Sequence, residues 1–117
     1  MEFWPSIAVR KKSTLVLTEG TINSLACERA GAEYIGALGG SDPHPRQLLR
    51  LGGWGTIICA TDGDAAGDKL AEYLRLNLSM SEVIRAPIPR GEDCDNLPRD
   101  VLIDVLSSAG YERTVQD

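Results

Sequence analysis

A single histidine, a single phenylalanine and three cysteines stand in a chain of 117 residues, and each scarcity closes off a class of protein. Cys27, Cys59 and Cys94 lie far apart and form no CxxC pair. They read as reduced thiols, which excludes a disulfide frame and a zinc site. His44 sits between Pro43 and Pro45 with no second His or Cys nearby, and reads as an exposed loop residue. No run of about 18 apolar residues occurs, so nothing reads as a membrane span. The N-terminus lacks the basic-then-apolar layout of a signal peptide, which points to the cytoplasm. Basic charge is also scarce: 12 Lys and Arg against 17 Asp and Glu leave a net charge of −5. That balance argues against a module holding nucleic acid by bulk electrostatics, because phosphate neutralisation needs clustered Lys and Arg. Arg10-Lys11-Lys12 is the one basic cluster, and it reads as a solvated chain end. Phosphate chemistry stays open, since a metal ion in an acidic pocket can bridge carboxylates to phosphate oxygens.

What is present is an ordinary globular composition, 43% hydrophobic and 25% charged, in a length that suits one domain and not two. Residues 1–13 form an expected arm or linker remnant, 14–110 the domain, and 111–117 a tail. Within the domain, short apolar runs alternate with helical patterns. Strands are expected at 14–18, 33–38, 56–60 and 82–86, the last followed by Pro87-Ile88-Pro89-Arg90-Gly91, which cannot be regular structure. After the first strand, Ile22, Leu25, Ala26, Arg29 and Ala30 predict one helical face, with Gly31 placed to stop it. A weak helix is expected over 44–51. Ala66, Leu70, Leu74 and Leu78, with Ala71 alongside, predict the clearest amphipathic helix, over 64–78. Val101, Leu102, Val105 and Leu106 predict the apolar face of a last helix over about 98–108. Alternation of this kind implies right-handed βαβ units, and so an α/β fold: a compact parallel four-stranded sheet flanked by helices on both faces.

In that arrangement three acidic features leave the sheet on one rim. Glu19 follows the first strand, Asp62 and Asp64 the third, and Asp93 and Asp95 the fourth. In an open α/β sheet ligands gather outside the carboxyl ends of the strands. Paired carboxylates there repel each other, and a divalent cation relieves the repulsion. Each piece also has a plainer reading. Asp-Gly-Asp is often a turn with a helix cap, Asp64 is well placed as an N-cap, and Asp95 or Asn96 can cap the last helix.

Leu17-Thr18-Glu19-Gly20, then Thr61-Asp62-Gly63-Asp64, then Gly91-Glu92-Asp93-Cys94-Asp95-Asn96 resembles the three-part motif of Toprim domains, across roughly residues 14–108. The Asp-Gly-Asp-Ala-Ala-Gly run is most similar to the primase branch, especially primases of phages and plasmids. The resemblance implies a Mg²⁺-dependent phosphoryl-transfer site, with Mn²⁺ as a substitute ion. Glu19 would be the general acid or base, or a metal ligand. Asp62 and Asp64 would hold Mg²⁺, and Asp93 and Asp95 would support a second ion. Lys69 and Arg90 are the nearest candidates for phosphate contacts, each with a solvated-charge reading beside it. The implied partners are a DNA template and nucleotides, together with other domains or replication proteins, and no membrane. One departure stands out: many primases carry Glu-Gly-x-x-Asp after the first strand, and here the last position is Asn23.

Other readings fare differently. A response-regulator receiver needs an acidic pair after the first strand and a late Lys, whereas here Glu19 stands alone and no Lys follows Lys69. A calcium loop starting at Asp62 would place Ala66 and Tyr73 at ligand positions. No Gly-rich loop ending in Lys-Ser/Thr occurs, which excludes a P-loop nucleotidase. A small stand-alone Toprim nuclease and a non-catalytic interaction module stay open. Tyr34, Tyr73 and Tyr111 fall in strand, helix and tail patterns, and none is placed as a nucleophile. The expectation is therefore a domain of a larger primase or a small stand-alone Toprim protein.

Overall fold

The computed structural model describes residues 6–39, 43 and 45–111. His44, the aromatic run from Phe3 to Pro5 and positions 112–117 lie outside the described residues. The chain runs α1 (Ile7–Arg10), β1 (Thr14–Thr18), α2 (Thr21–Arg29), β2 (Tyr34–Ala37), α3 (Pro45–Leu51), β3 (Thr56–Cys59), α4 (Ala65–Asn77), β4 (Glu82–Arg85) and α5 (Arg99–Ser108). The four strands form one sheet in the order β2-β1-β3-β4, and every pairing is parallel. The expected α/β architecture is the observed one.

Strand alternation divides the core into two. Leu15, Leu17, Ile57, Cys59 and Val83 face one side, where Leu51 of α3 and Leu70, Ala71 and Leu74 of α4 cover them. Val16 and Ile58 face the other, under Ala26 and Cys27 of α2 and Leu102, Val105 and Leu106 of α5. The topology accounts for this split. The chain travels from β1 to β2 in one direction and from β3 to β4 in the other, so right-handed crossovers deliver their helices to opposite faces. Among the described residues no helix is long and apolar enough to cross a membrane.

Three helix faces differ from expectation. In α2 the buried positions are Ala26, Cys27 and the following Ala30, while Ile22 is 65% exposed and Leu25 47% exposed. The helix packs its small side chains down because the sheet face beneath is already filled by Val16, Ile58 and α5. Gly31 stops it as expected, at a φ of 99° that favours glycine. In α4 the buried stripe is Gly67, Leu70, Ala71 and Leu74, and Ala66 is exposed, one helical step off that stripe. Val101 of α5 is likewise partly exposed beside buried Leu102.

Both ends of the described chain join the fold. Gly55 N donates to Arg10 O (2.9 Å), which ties α1 to the start of β3. Tyr111, expected in a tail, is buried; its hydroxyl accepts from Glu33 N (2.8 Å) and donates to Gly31 O (3.2 Å).

Candidate functional site

β1 and β3 are the central neighbours from which the chain departs in opposite directions, so the crevice beyond their carboxyl ends is the topological switch point of the sheet. Their register pairs Leu17 with Cys59, which brings the two exits level. Glu19 leaves one and Asp62 the other.

At the first exit, the buried Thr18 hydroxyl donates to Gly20 O (3.0 Å) and shares a 2.6 Å hydrogen bond with the Ser24 hydroxyl. The Glu19 carbonyl accepts from Gly39 N (2.7 Å). The backbone of Glu19 is therefore fixed, while its carboxylate Oε1 is buried with no hydrogen-bond partner. Burial pushes the Glu19 carboxyl above its ordinary range, and the Asp62 and Asp64 charges push the same way, with Arg85 opposing them.

The second exit is crowded. A Cβ on Gly63 would lie 2.0 Å from Pro89 O, and one on Gly67 would lie 2.2 Å from Asp62 O. Only glycine permits these approaches. Gly63 N donates to Glu92 O (2.9 Å) and Gly91 N returns a bond to Gly63 O (3.0 Å), so the second and third acidic loops are zipped together. Asp64 caps α4, accepting from Gly67 N through Oδ1 (2.7 Å). The cap reading is correct, and it engages one of the two carboxylate oxygens. Burial raises the Asp62 carboxyl above its ordinary value, as do the Asp93 and Asp64 charges, again with Arg85 opposing.

The third loop supplies Asp93, whose Oδ1 accepts from Asn96 N (2.9 Å). Cys94 beside it is buried, and its thiol donates to Ala60 O (3.3 Å), seating the loop on the sheet. Asp62, Gly63, Asp64, Gly91, Glu92 and Asp93 line a small open pocket of about 120 Å³.

Asp62, Asp64 and Asp93 thus share one pocket, and the Asp62 and Asp64 charges reach Glu19. Asp95 turns outward: its carboxylate is 3.6 Å from Arg29 at the end of α2. Among the described residues no three acidic, His or Cys side chains are gathered as a ready-made metal cluster. The donor set nevertheless suits a hard cation: it is all carboxylate oxygen, it includes one buried oxygen with no partner, and its charges help to raise the Glu19 and Asp62 carboxyls. Lys69 is exposed on α4, and Arg90 pairs with Asp68 (2.8 Å).

Two residues here were not assigned a site role from sequence. Asn23, noted only as a departure, donates to Asp62 Oδ1 (3.4 Å) and accepts from Asp95 N (3.0 Å), linking the second and third loops from α2. An amide can do both, whereas an ionised carboxylate could only accept. Arg85 lies under the second loop with its guanidinium on backbone carbonyls. The available signal was a charged residue on the same strand face as buried Val83.

A family model described as Toprim-like matches residues 16–97, a span that contains all three acidic motifs. The chain belongs to the Toprim-like family. This Toprim-like domain is 30% identical over 90 residues to the Gene 57 protein of Mycobacterium phage D29, covering 75% of the chain and 57% of that protein. It is 27% identical over 101 residues to DNA primase DnaG of Staphylothermus marinus, covering 86% of the chain and 23% of that protein. Among solved structures, the Aquifex aeolicus primase (zinc binding and RNA polymerase domains) matches with a TM-score of 0.69 at 22% identity, over 88% of the chain and 27% of that structure. That likeness speaks to fold. The chain spans a little over half the length of one curated relative and about a quarter of the other.

Proposed function

We propose that this Toprim-like domain is the Mg²⁺-dependent nucleotidyl-transfer domain of a primase-type protein. The observation that carries the reading is that Asp62, Asp64 and Asp93 line one pocket at the switch point, near enough to Glu19 for the Asp62 and Asp64 charges to act on its carboxyl, whose Oε1 is buried without a hydrogen-bond partner. Kinship with a DNA primase and with a phage protein supports the choice of chemistry.

In this reading Asp62, Asp64 and Asp93 hold the ions, with Asp95 at the margin and Mn²⁺ able to replace Mg²⁺. When bound, the ions neutralise charge on phosphate oxygens and polarise the phosphorus. Glu19 takes the proton from the attacking hydroxyl as that oxygen bonds to the α-phosphorus and pyrophosphate leaves. Its raised pKa suits it to carry that proton. The second Asp64 oxygen remains open to an ion while the first holds the helix cap. Asn23 orients Asp62 and anchors the third loop. With a net charge of −5, the domain would meet phosphates whose charge bound ions offset, and partner domains or replication proteins would supply the basic surface for the DNA template.

The test is Mn²⁺ titration of labelled protein, following which backbone NMR signals broaden, and then assays of primer synthesis and of nuclease activity. Joint loss of signals around Glu19, Asp62–Asp64 and Asp93 is the expected result. Broadening confined to the chain ends would reject the site and favour a binding module. A metal-dependent nuclease with no primer synthesis would keep the site and reject the primase assignment.

A further inference from the structure

Arg85 ends the edge strand β4, and no acidic motif includes it. Its side chain is only 19% exposed, which for a cation requires compensation at every donor. Each of its three nitrogens finds an acceptor. Nη1 donates to Thr61 O (2.7 Å), Thr61 Oγ1 (2.8 Å) and Cys59 O (3.3 Å); Nη2 donates to Asp62 O (2.6 Å); Nε donates to Asp68 Oδ1 (3.1 Å). The acceptors in the β3 exit are backbone carbonyls and one hydroxyl. None is a carboxylate of Glu19, Asp62, Asp64 or Asp93, so this cation sits at the acidic site without occupying its metal-facing oxygens. α4 closes over the guanidinium through Gly67, where a Cβ would stand 2.7 Å from Nη2 and 3.0 Å from Thr61 Oγ1. A planar fork spanning several carbonyls is a task for arginine, since a lysine ammonium is a point charge without that geometry.

We propose that Arg85 is a positioning residue for divalent-cation binding, holding the backbone of Thr61 and Asp62 so that the Asp62 and Asp64 carboxylates present a formed site. The proposal rests on the reading of Asp62 and Asp64 as metal ligands. Charge alone makes the opposite prediction. A fixed cation beside a cation site repels the incoming ion, so its removal should tighten binding.

The experiment compares wild type, Arg85→Lys and Arg85→Met in the whole chain. Mn²⁺ affinity is read by calorimetry, and amide hydrogen exchange is read without metal. Both variants are expected to bind Mn²⁺ about tenfold more weakly. The amides of Gly63 and Gly67 should exchange about tenfold faster, while those of Val16 and Ile58 stay at the wild-type rate. Faster exchange throughout would mean a merely structural role and would overturn the proposal. Tighter Mn²⁺ binding by Arg85→Met, or wild-type binding by Arg85→Lys, would also overturn it. Should Arg85→Met fail to fold, Arg85→Gln takes its place with the same expected outcomes. If wild type binds no Mn²⁺, the metal reading fails. Exchange then decides the clamp by itself: unchanged rates at Gly63 and Gly67 remove it, and selective loss of protection sustains it.

Discussion

The two central strand exits are built on opposite principles. The loop after β3 is fastened on every side: Gly63 and Gly67 are pressed against backbone, Arg85 holds the Thr61 and Asp62 carbonyls, and Glu92 and Gly91 zip it to the next loop. The turn after β1 is spacious. Gly20 has nothing within 4 Å of where a Cβ would stand, and Glu19 Oε1 makes no hydrogen bond. In the proposed reading the difference corresponds to two tasks. Ions need carboxylates held in fixed geometry, because Mg²⁺ tolerates little departure from octahedral coordination. A proton carrier needs a carboxylate that can approach and leave its substrate, and a bonded one could not.

The largest expected effect breaks the rigid side. Gly67→Ala and Gly63→Ala each force backbone apart and should cost about 3 kcal/mol of stability, measured by urea unfolding. A loss of under about 1 kcal/mol would show that the loop yields easily and would weaken the contrast. Next comes Asp62→Asn, which removes a proposed ligand and keeps the shape. It should lower Mn²⁺ affinity by at least about tenfold with the fold intact, and unchanged affinity in a folded variant would remove Asp62 from the site.

Glu19→Gln sharpens the comparison from the open side. Most of the metal affinity should remain while primer synthesis in the proposed full-length primase is abolished; surviving synthesis would end the acid–base role. The same variant carries a pH signature. A carboxyl raised above its ordinary value of 4.5 binds more protons folded than unfolded, so stability falls as pH rises from about 4.5 through the raised value. Asp62, raised from 3.8, contributes with the same sign, and exposed Asp68, lowered by Arg85 and Arg90, contributes with the opposite one. In EDTA, Glu19→Gln should therefore be more stable than wild type at pH 7 and nearly equal to it at pH 4. An advantage that failed to shrink on acidification would contradict the assignment. The smallest effect is expected of Gly20→Ala, within about 1 kcal/mol, set only by the lost N-cap preference for glycine over alanine.

Much of this molecule was legible in the sequence because its signals are local. Apolar runs bounded by turn residues gave four strands, and their alternation with helical patterns gave a parallel sheet. A parallel sheet puts every strand exit on one rim, so Glu19, Asp62, Asp64, Asp93 and Asp95 could be assigned to a shared edge from spacing alone. What spacing could not supply was direction at that edge. Asp93 lines the same pocket as Asp62, while Asp95, two residues on, turns to Arg29.

From β1 onward the sequence by itself determined element types, their order and the rim that carries the acids, since these follow from backbone propensity, periodicity and strand polarity; the short helix α1 (Ile7–Arg10), in what was expected to be an arm, was not among them. Tertiary structure alone decided which helix faces are buried and which side chains support the acids. Ile22 and Leu25 lie outward because α5 and the strands had already filled the space beneath α2. Asn23 and Arg85 gained their roles only when α2 and β4 came alongside loops that are remote in the chain. Such contacts depend on distances across the sheet, which no local pattern encodes.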